Sequence, residues 1–412
     1  MIMVFLLLVV LVIMYERVVK KRSLLNIFGV SIYWMFLWME ELNIVTSLKR
    51  ECLNYSNNHY KDLNEYTKQR VKGLEGLTER ELALIRFVEF FLGKLTIPSV
   101  RDKHEKQITK EEAIVNLNEM KRTSLSPIFG FNAGPFHSPD EILEFTTGKN
   151  RNNVKSLYFN FAKNASNKIC MLHFHGGAYV TSTSKLCYIH ERWCYEKSFD
   201  LLGLEYTTFP NAEIEEIIEE AFKAFKWLVD EKHVTDIYLI GESAGGNLSL
   251  NLADKISHLS THDSAKYITA LKGAVLLSPW FDLTFSSQTC NDMYNQDRLI
   301  PYEKVLKWKM NGVPCGLNEQ ERAIQFSPYF WSTDKINQVC SVLPKGIFIS
   351  YTERERLADE VEKVIDNMKG TTVRVFVQKE KVPFHVFHAF MDFLPDQYKR
   401  TVNGIDKLVF NM

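Results

Sequence analysis

Residues 237–246 read IYLIGESAGG, and this stretch decides the fold. Ile237–Ile240 is a short apolar run of strand-forming residues, and Leu248–Leu259 downstream has the character of a helix. Between them, Gly241-Glu242-Ser243-Ala244-Gly245 fits G-x-S-x-G. In that motif a strand turns into a helix so sharply that the serine at the apex is strained and its hydroxyl exposed. Small residues such as Gly241 and Gly245 let the chain make the turn. Ser243 is therefore the candidate nucleophile. A plain glycine-rich strand–helix turn is the competing reading, and the flanking strand, the helix and the extra Gly246 weigh against it.

Upstream, the run ICMLHF ends in His175-Gly176-Gly177-Ala178. Glycines here bring backbone N–H groups close to a substrate, as an oxyanion hole requires. The amides of Gly176, Gly177 and Ala244 are the candidate donors. His175, directly before the glycines, reads as a loop-shaping residue rather than a base. SLYFNF, LLGLEY, GAVLLS, GIFISY and TVRVFV read as further strands, and Ala212–Asp230 as a helix. This alternation predicts an α/β fold with a mostly parallel sheet covered by helices on both faces. Residues 283–345 break the alternation and read as an insertion.

A serine hydroxyl needs a base. The base is expected in a loop after the last strand, where VPFHVFHAF holds His385 and His388. His385 comes directly after the loop and is favoured; His388 falls one turn into the next helix. The acid that orients the base is expected after GIFISY. Glu353, Glu355 and Asp359 all compete there, and the chemistry of the residues does not separate them.

The bulk properties exclude other classes. Lys+Arg and Asp+Glu both number 50, so no global field attracts nucleic acid. Seven cysteines without a CxxC pair argue against a structural zinc site. Neither a metal nor a cofactor is called for, and nothing in the sequence sets an oligomeric state.

Residues 1–14 are uncharged and apolar, and Arg17, Lys20, Lys21 and Arg22 follow. The charge order is wrong for a cleaved signal, so 1–40 reads as a membrane anchor. It is either one short span or, with Leu24–Met39, a short hairpin. Residues 41–150 read as a linker with cap helices. One of these starts at Thr78, where Glu81 completes a capping box. Its apolar residues (Leu82, Ile85, Phe87, Phe90, Phe91) are candidates for a lid. Residues 151–412 form the catalytic domain. Asn54 and Asn164 stand in glycosylation sequons outside the expected core, whereas the sequon at Asn247 lies on the nucleophile helix and should be buried.

HGGA and GESAGGN, together with Ser278-Pro279-Trp280-Phe281-Asp282-Leu283-Thr284, resemble the hormone-sensitive-lipase-like branch of the α/β-hydrolases over roughly 150–400. The resemblance implies the α/β-hydrolase fold with a helical cap. It also implies an acid in a D/E-x-L-x-D-E pattern, which Glu355 to Glu360 matches, so Glu355 inherits the role. The family's GM-x-H-x-F segment aligns with Val382 to Phe387 and supports His385. Val382 and Pro383 replace its Gly and Met, and Glu242 replaces a frequent Asp. With an anchor in front, the chain looks most like steryl acetyl hydrolases and arylacetamide deacetylases. That implies a membrane-anchored serine esterase of the endoplasmic reticulum with a lumenal catalytic domain. Its partners would be the lipid bilayer and lipophilic esters, such as sterol acetates. A lipase for longer acyl chains is one alternative. Another is a ligand-binding receptor that keeps the pocket without the chemistry. A peptidase ranks last, because no large substrate-filtering domain is recognisable.

Overall fold

Seven of the expected strands form, and the strand carrying the Gly-Glu-Ser turn lies in the middle of the sheet they build. The computed structural model describes residues 137–145, 155–163, 168–259 and 264–410, apart from 293, 294, 301, 317, 391 and 392; it also describes 109–123 and positions 77, 78, 81, 84 and 85. The strands are β1 (Glu141–Leu143), β2 (Ser156–Phe159), β3 (Ile169–Phe174), β4 (Asp200–Leu204), β5 (Asp236–Glu242), β6 (Leu271–Leu277), β7 (Gly346–Thr352) and β8 (Val375–Glu380). Their spatial order is β1-β2-β4-β3-β5-β6-β7-β8. β1 and β2 run antiparallel to their neighbours, and every later pairing is parallel. β1 is the strand that the sequence did not announce. It is three residues long and partly exposed at the sheet edge, so it leaves no apolar run.

Parallel pairing needs crossover connections, and helices supply them. In chain order the helices are α1 (Lys110–Thr123), α2 (Tyr188–Lys197), α3 (Ile214–Asp230), α4 (Ala244–Ser257), α5 (Ala265–Ala270), α6 (Gln288–Asn291), α7 (Tyr302–Met310), α8 (Gln320–Gln325), α9 (Thr333–Ser341), α10 (Ala358–Lys369) and α11 (Pro395–Phe410). α3 shows how sequence makes such an element. Glu213 and Glu216 form a reciprocal capping box at its start. Ile214, Ile217, Ile218, Ala221, Phe225 and Leu228 then recur at helical spacing and are buried. Each large apolar side chain so buried contributes ~1.5–3 kcal/mol.

Strand alternation divides the core in two. Leu172 and Phe174 of β3, with Leu239 of β5, face a cluster shared with α3, α4, α9 and α10. Met171 of β3, with Tyr238 and Ile240 of β5, faces the opposite cluster, covered by α2 and α11. By the same alternation His173 and Glu242 point to the α2 side.

Two boundaries differ from the sequence reading. The nucleophile helix α4 begins at Ala244, directly after the serine, and not at Leu248. Ala244, Gly245 and Gly246 carry no apolar periodicity, but their smallness is what lets the first turn form there. A Cβ on Gly245 would sit 1.9 Å from the Phe174 carbonyl oxygen. The stretch 283–345 also divides. Its last helix, α9, buries Ile336, Val339 and Cys340 in the main core and covers the sheet with α4 and α10. On the remaining part, α1 is joined by a hydrogen bond from Asn116 Nδ2 to Asn311 Oδ1 (3.1 Å).

The capping box at Thr78 is present. The Thr78 N–H donates to Glu81 Oε2 (2.7 Å), and the Glu81 N–H donates to Thr78 Oγ1 (3.3 Å). Gln397 Nε2 of α11 donates to Glu81 Oε1 (2.7 Å), which fastens this helix start to the end of the chain. Leu84 and Ile85 are buried. Leu82, Phe87, Phe90 and Phe91 of the expected lid lie outside the described residues, as do the segment 1–40, Asn54 and Asn164. Asn247 is fully buried, accepts from Tyr179 and donates to the Phe326 carbonyl. Among the described residues no helix is long and apolar enough to cross a membrane. Their six cysteines are free and buried.

Candidate active site

Ser243 stands between β5 and α4 with φ 53° and ψ −116°, a backbone conformation that L residues rarely adopt. The fold holds it there. Its N–H donates to the Leu277 carbonyl (3.0 Å), and its carbonyl accepts from the N–H groups of Gly246 and Trp280 (3.0 Å each). Strain of this kind persists only where surrounding bonds overdetermine it. The strain extends around the site, because Ala178, Tyr179, Ser278 and Val386 also take left-handed φ values of 45–58°.

The His175-Gly-Gly-Ala turn lies against the serine. A Cβ on Gly176 would fall 3.3 Å from Ser243 Cβ. Gly177 has φ 101°, and its carbonyl accepts from the N–H groups of Val180 (3.0 Å) and Thr181 (2.9 Å). A side chain at this position would meet the Thr181 carbonyl at 2.2 Å. Among the described residues, none of the loop and turn hydrogen bonds uses the N–H of Gly176, Gly177 or Ala244. His175 shapes the loop. Its Nδ1 bonds the Gly176 carbonyl oxygen (2.8 Å) and its ring stacks on Tyr206 at 4.0 Å. The Tyr206 hydroxyl donates to the His175 carbonyl (2.6 Å). Burial lowers the His175 imidazole to about 4.

His385 and Glu355 meet across the ends of their loops, with Nδ1 3.2 Å from Glu355 Oε2. Both are buried, Glu355 completely. Burial pushes the Glu355 carboxyl up, and the bond to His385 pulls it back. The other ring nitrogen, His385 Nε2, is buried without a hydrogen-bond partner, so no bond to Ser243 Oγ forms in this structure. Catalytic hydrogen bonds often tighten only when substrate is bound.

The geometry separates the acids that the sequence left in competition. Glu353 is over a third exposed and lies 3.9 Å from Lys379. Asp359 accepts from the N–H and hydroxyl of Thr289. Glu360 is buried and takes the N–H groups of Phe281 (2.6 Å) and Asp282 (3.2 Å), fixing the Ser-Pro-Trp segment. Only Glu355 of these reaches His385. His388, the rival base, points into the core. Its Nε2 is 2.8 Å from Ser350 Oγ, and burial lowers it to about 3.

Sequence reasoning missed a second histidine–carboxylate group, built on Glu242, the residue before Ser243. Glu242 Oε2 lies 2.8 Å from His173 Nε2 of β3, and Oε1 lies 2.5 Å from His190 Nε2 of α2. All three side chains are buried. Burial opposes the charge on Glu242, but the two imidazoles outweigh it and hold the carboxyl well below its usual range. Alternation along β3 and β5 puts His173 and Glu242 on one face; a polar residue within the apolar run ICMLHF was the available signal. Two His and one Glu, with ligand atoms within 4.8 Å, are a zinc-type donor set. Metal-bound imidazoles donate their other N–H to an acceptor, however, and His173 Nδ1 is buried with no partner. The hydrogen-bonded clasp fits these residues better than a metal.

This sheet order, with a strained serine between β5 and the next helix, defines an α/β-hydrolase. The family model for the alpha/beta hydrolase fold matches residues 171–389, more than half of the chain, and the chain belongs to that family. Human hormone-sensitive lipase is 34% identical over 94 residues, which are 20% of this chain and 8% of the lipase. A probable carboxylesterase 2 of Arabidopsis thaliana is 25% identical over 169 residues, 38% of this chain and 49% of that protein. The chain thus spans less than two thirds of these relatives' length. Among solved structures, a thermostable esterase from Pseudomonas putida superposes with a TM-score of 0.56 at 17% identity, covering 80% of this chain and 96% of that one. An esterase of the bacterial hormone-sensitive lipase family superposes with a TM-score of 0.54 at 20% identity, covering 73% and 96%. At such identities these two share the fold.

Proposed function

We propose that this protein is a serine esterase in which Ser243, His385 and Glu355 act as a catalytic triad. The observation that carries the reading is the state of His385. Its Nδ1 is held by the buried Glu355, while its Nε2 is buried without a partner. In the reaction Ser243 Oγ attacks the acyl carbonyl and His385 Nε2 takes its proton. The Gly176, Gly177 and Ala244 amides receive the oxyanion. His385 returns the proton to the leaving alcohol, and water then releases the acid by the same steps in reverse roles. Glu355 stabilises the imidazolium.

The substrate class is a short-acyl ester of a lipophilic alcohol, such as a sterol acetate. This finer reading rests on the family resemblance and on the apolar stretch 1–14 ahead of the domain, which would anchor it to the endoplasmic reticulum membrane with the domain lumenal. A serine-directed fluorophosphonate probe tests the chemistry: the wild type is labelled and Ser243→Ala is not. p-Nitrophenyl esters of two to sixteen carbons test the acyl range, with turnover expected to fall as the chain lengthens. A rise with length would indicate a lipase. Labelling that persists in Ser243→Ala would sink the triad. For location, protection of the domain from protease in sealed microsomes is expected, together with an endoglycosidase-sensitive mobility that Asn54→Gln with Asn164→Gln removes.

A further inference from the structure

We infer that Asp297, from the stretch between β6 and β7, is a positioning residue that locks the loop carrying Glu355 to the loop carrying His385; this rests on the triad proposed above. The buried Asp297 carboxylate is shared between the two loops. Its Oδ2 accepts the N–H of Arg356, the residue after the acid (3.1 Å). Its Oδ1 accepts the N–H of His385 itself (3.4 Å). Next to it, the Arg298 N–H donates to the Pro383 carbonyl (2.9 Å), a second tie to the base loop.

The segment that carries Asp297 is fixed in turn from the acid loop. The buried Arg356 guanidinium donates to the carbonyls of Ile300 (2.8 Å), Cys290 (3.0 Å) and Asp292 (2.7 Å). Asp297 Oδ1 also accepts from Leu299 (2.8 Å) and Ile300 (3.2 Å), so its rotamer is set locally. The result is a circuit of contacts from Arg356 to Cys290, Asp292 and Ile300, from Ile300 to Asp297, and on to His385. Without it, the 3.2 Å contact between Glu355 and His385 would depend on two loops that leave different strands.

Asp297 also acts through charge. Its carboxylate and Glu355 lie close enough to repel, which adds to the burial that raises the Glu355 carboxyl. The other groups facing this region are the Ser278 hydroxyl, His388, Lys304 of α7 and the Arg356 guanidinium.

Asp297→Asn keeps the volume and one acceptor and removes the charge; Asp297→Ala removes both. The full-length protein is assayed with p-nitrophenyl acetate across pH, and by its rate of fluorophosphonate labelling. For Asp297→Asn, kcat is expected to fall ~10-fold with KM nearly unchanged, because the tie between the loops that position Glu355 and His385 is weakened. Asp297→Ala is expected to lose ~100-fold in kcat, as second-layer partners typically cost. The labelling rates should fall in parallel. Wild-type kcat in Asp297→Asn would overturn the proposal. So would losses that track only the folded fraction measured by circular dichroism. If wild-type Ser243 does not react with the probe at all, the triad itself fails and Asp297 with it. If it reacts but p-nitrophenyl acetate is not cleaved, the labelling rates still decide the role of Asp297.

Discussion

Two buried histidine–carboxylate groups occur among the described residues, and they are built in opposite ways. In the Glu242 clasp each carboxylate oxygen is matched to one imidazole, His173 or His190, and the Glu is held ionised. In the Glu355 pair one oxygen meets one imidazole, the other oxygen has no partner, and the far nitrogen of His385 has none either. Both carboxylate oxygens of the clasp are engaged. In the proposed mechanism a serine hydroxyl would complete the pair at His385 Nε2. A buried polar atom without a partner costs ~1–3 kcal/mol, so a fold retains one where it serves a purpose. Each group leaves one imidazole nitrogen without a partner, His173 Nδ1 in the clasp and His385 Nε2 in the pair; what sets them apart is the carboxylate, held down in the clasp and pushed up with one free oxygen in the pair.

The largest expected effects lie on the incomplete side. Ser243→Ala and His385→Ala should each lower kcat by a factor of ~10⁴ or more, and the double variant should lose little beyond either single one, because triad members act as a unit. Thermal melting should show both variants folded. Full activity in His385→Ala would mean that the base lies elsewhere. Glu355→Gln comes next, with a loss of ~10²–10⁴ in kcat, because the imidazolium loses its counter-charge. Asp359→Asn should be mild by comparison, since its carboxylate serves Thr289. If the two rank the other way, the acid sits elsewhere on this loop.

The clasp should show the reverse pattern, with a stability effect and a small activity effect. In Glu242→Gln the amide NH2 faces an imidazole N–H, which leaves a buried donor unpaired and destabilises the fold by ~1–3 kcal/mol. The folded fraction should keep most of its kcat/KM. The pH dependence has a definite sign. A Glu held below its usual value of 4.5 contributes stability that is fully present above that value and is lost as pH falls through it. The urea-melting deficit of Glu242→Gln should therefore be largest at neutral pH and shrink below about pH 4.5. A kcat loss as large as that of Glu355→Gln would place the clasp in the chemistry and dissolve the contrast.

The strained turn at Ser243, the glycine turn and the central sheet were legible because each leaves a local signature. An apolar run, a glycine pattern and a helix follow one another in the chain. His385 was legible from its place after the last strand. Glu355 was not separable from Glu353 and Asp359 by local chemistry, because which carboxylate turns inward is a property of the folded loop; the family pattern supplied it. Glu242, His173 and His190 come from β5, β3 and α2, and nothing in their spacing says that they meet. Asp297 is invisible for the same reason: its partners, Arg356 and His385, are 59 and 88 residues away. His388 looks like His385 in sequence, three residues apart and equally aromatic in surroundings, and only the turn at Val386 sends the two rings to different places.

His388 is therefore the finest test of the comparison, with the smallest expected effect. It shares the chain segment of the proposed base and the wiring of the clasp, since its Nε2 is spent on Ser350 Oγ. His388→Gln can keep that bond through its amide and should change kcat little. Its effect belongs to stability against pH. Burial lowers the imidazole from 6.5 to about 3 in the fold. Below pH 6.5 the unfolded chain takes up a proton that the folded chain refuses until about pH 3, so this group removes stability as pH falls through that window. The slope approaches ~1.4 kcal/mol per pH unit. His388→Gln abolishes the term, and its stability relative to wild type should rise steadily from pH 7 to pH 4 in urea titrations, whatever its offset at neutral pH. A constant offset across that range would mean that His388 is not held neutral. A collapse of kcat would mean that it, and not His385, serves the serine.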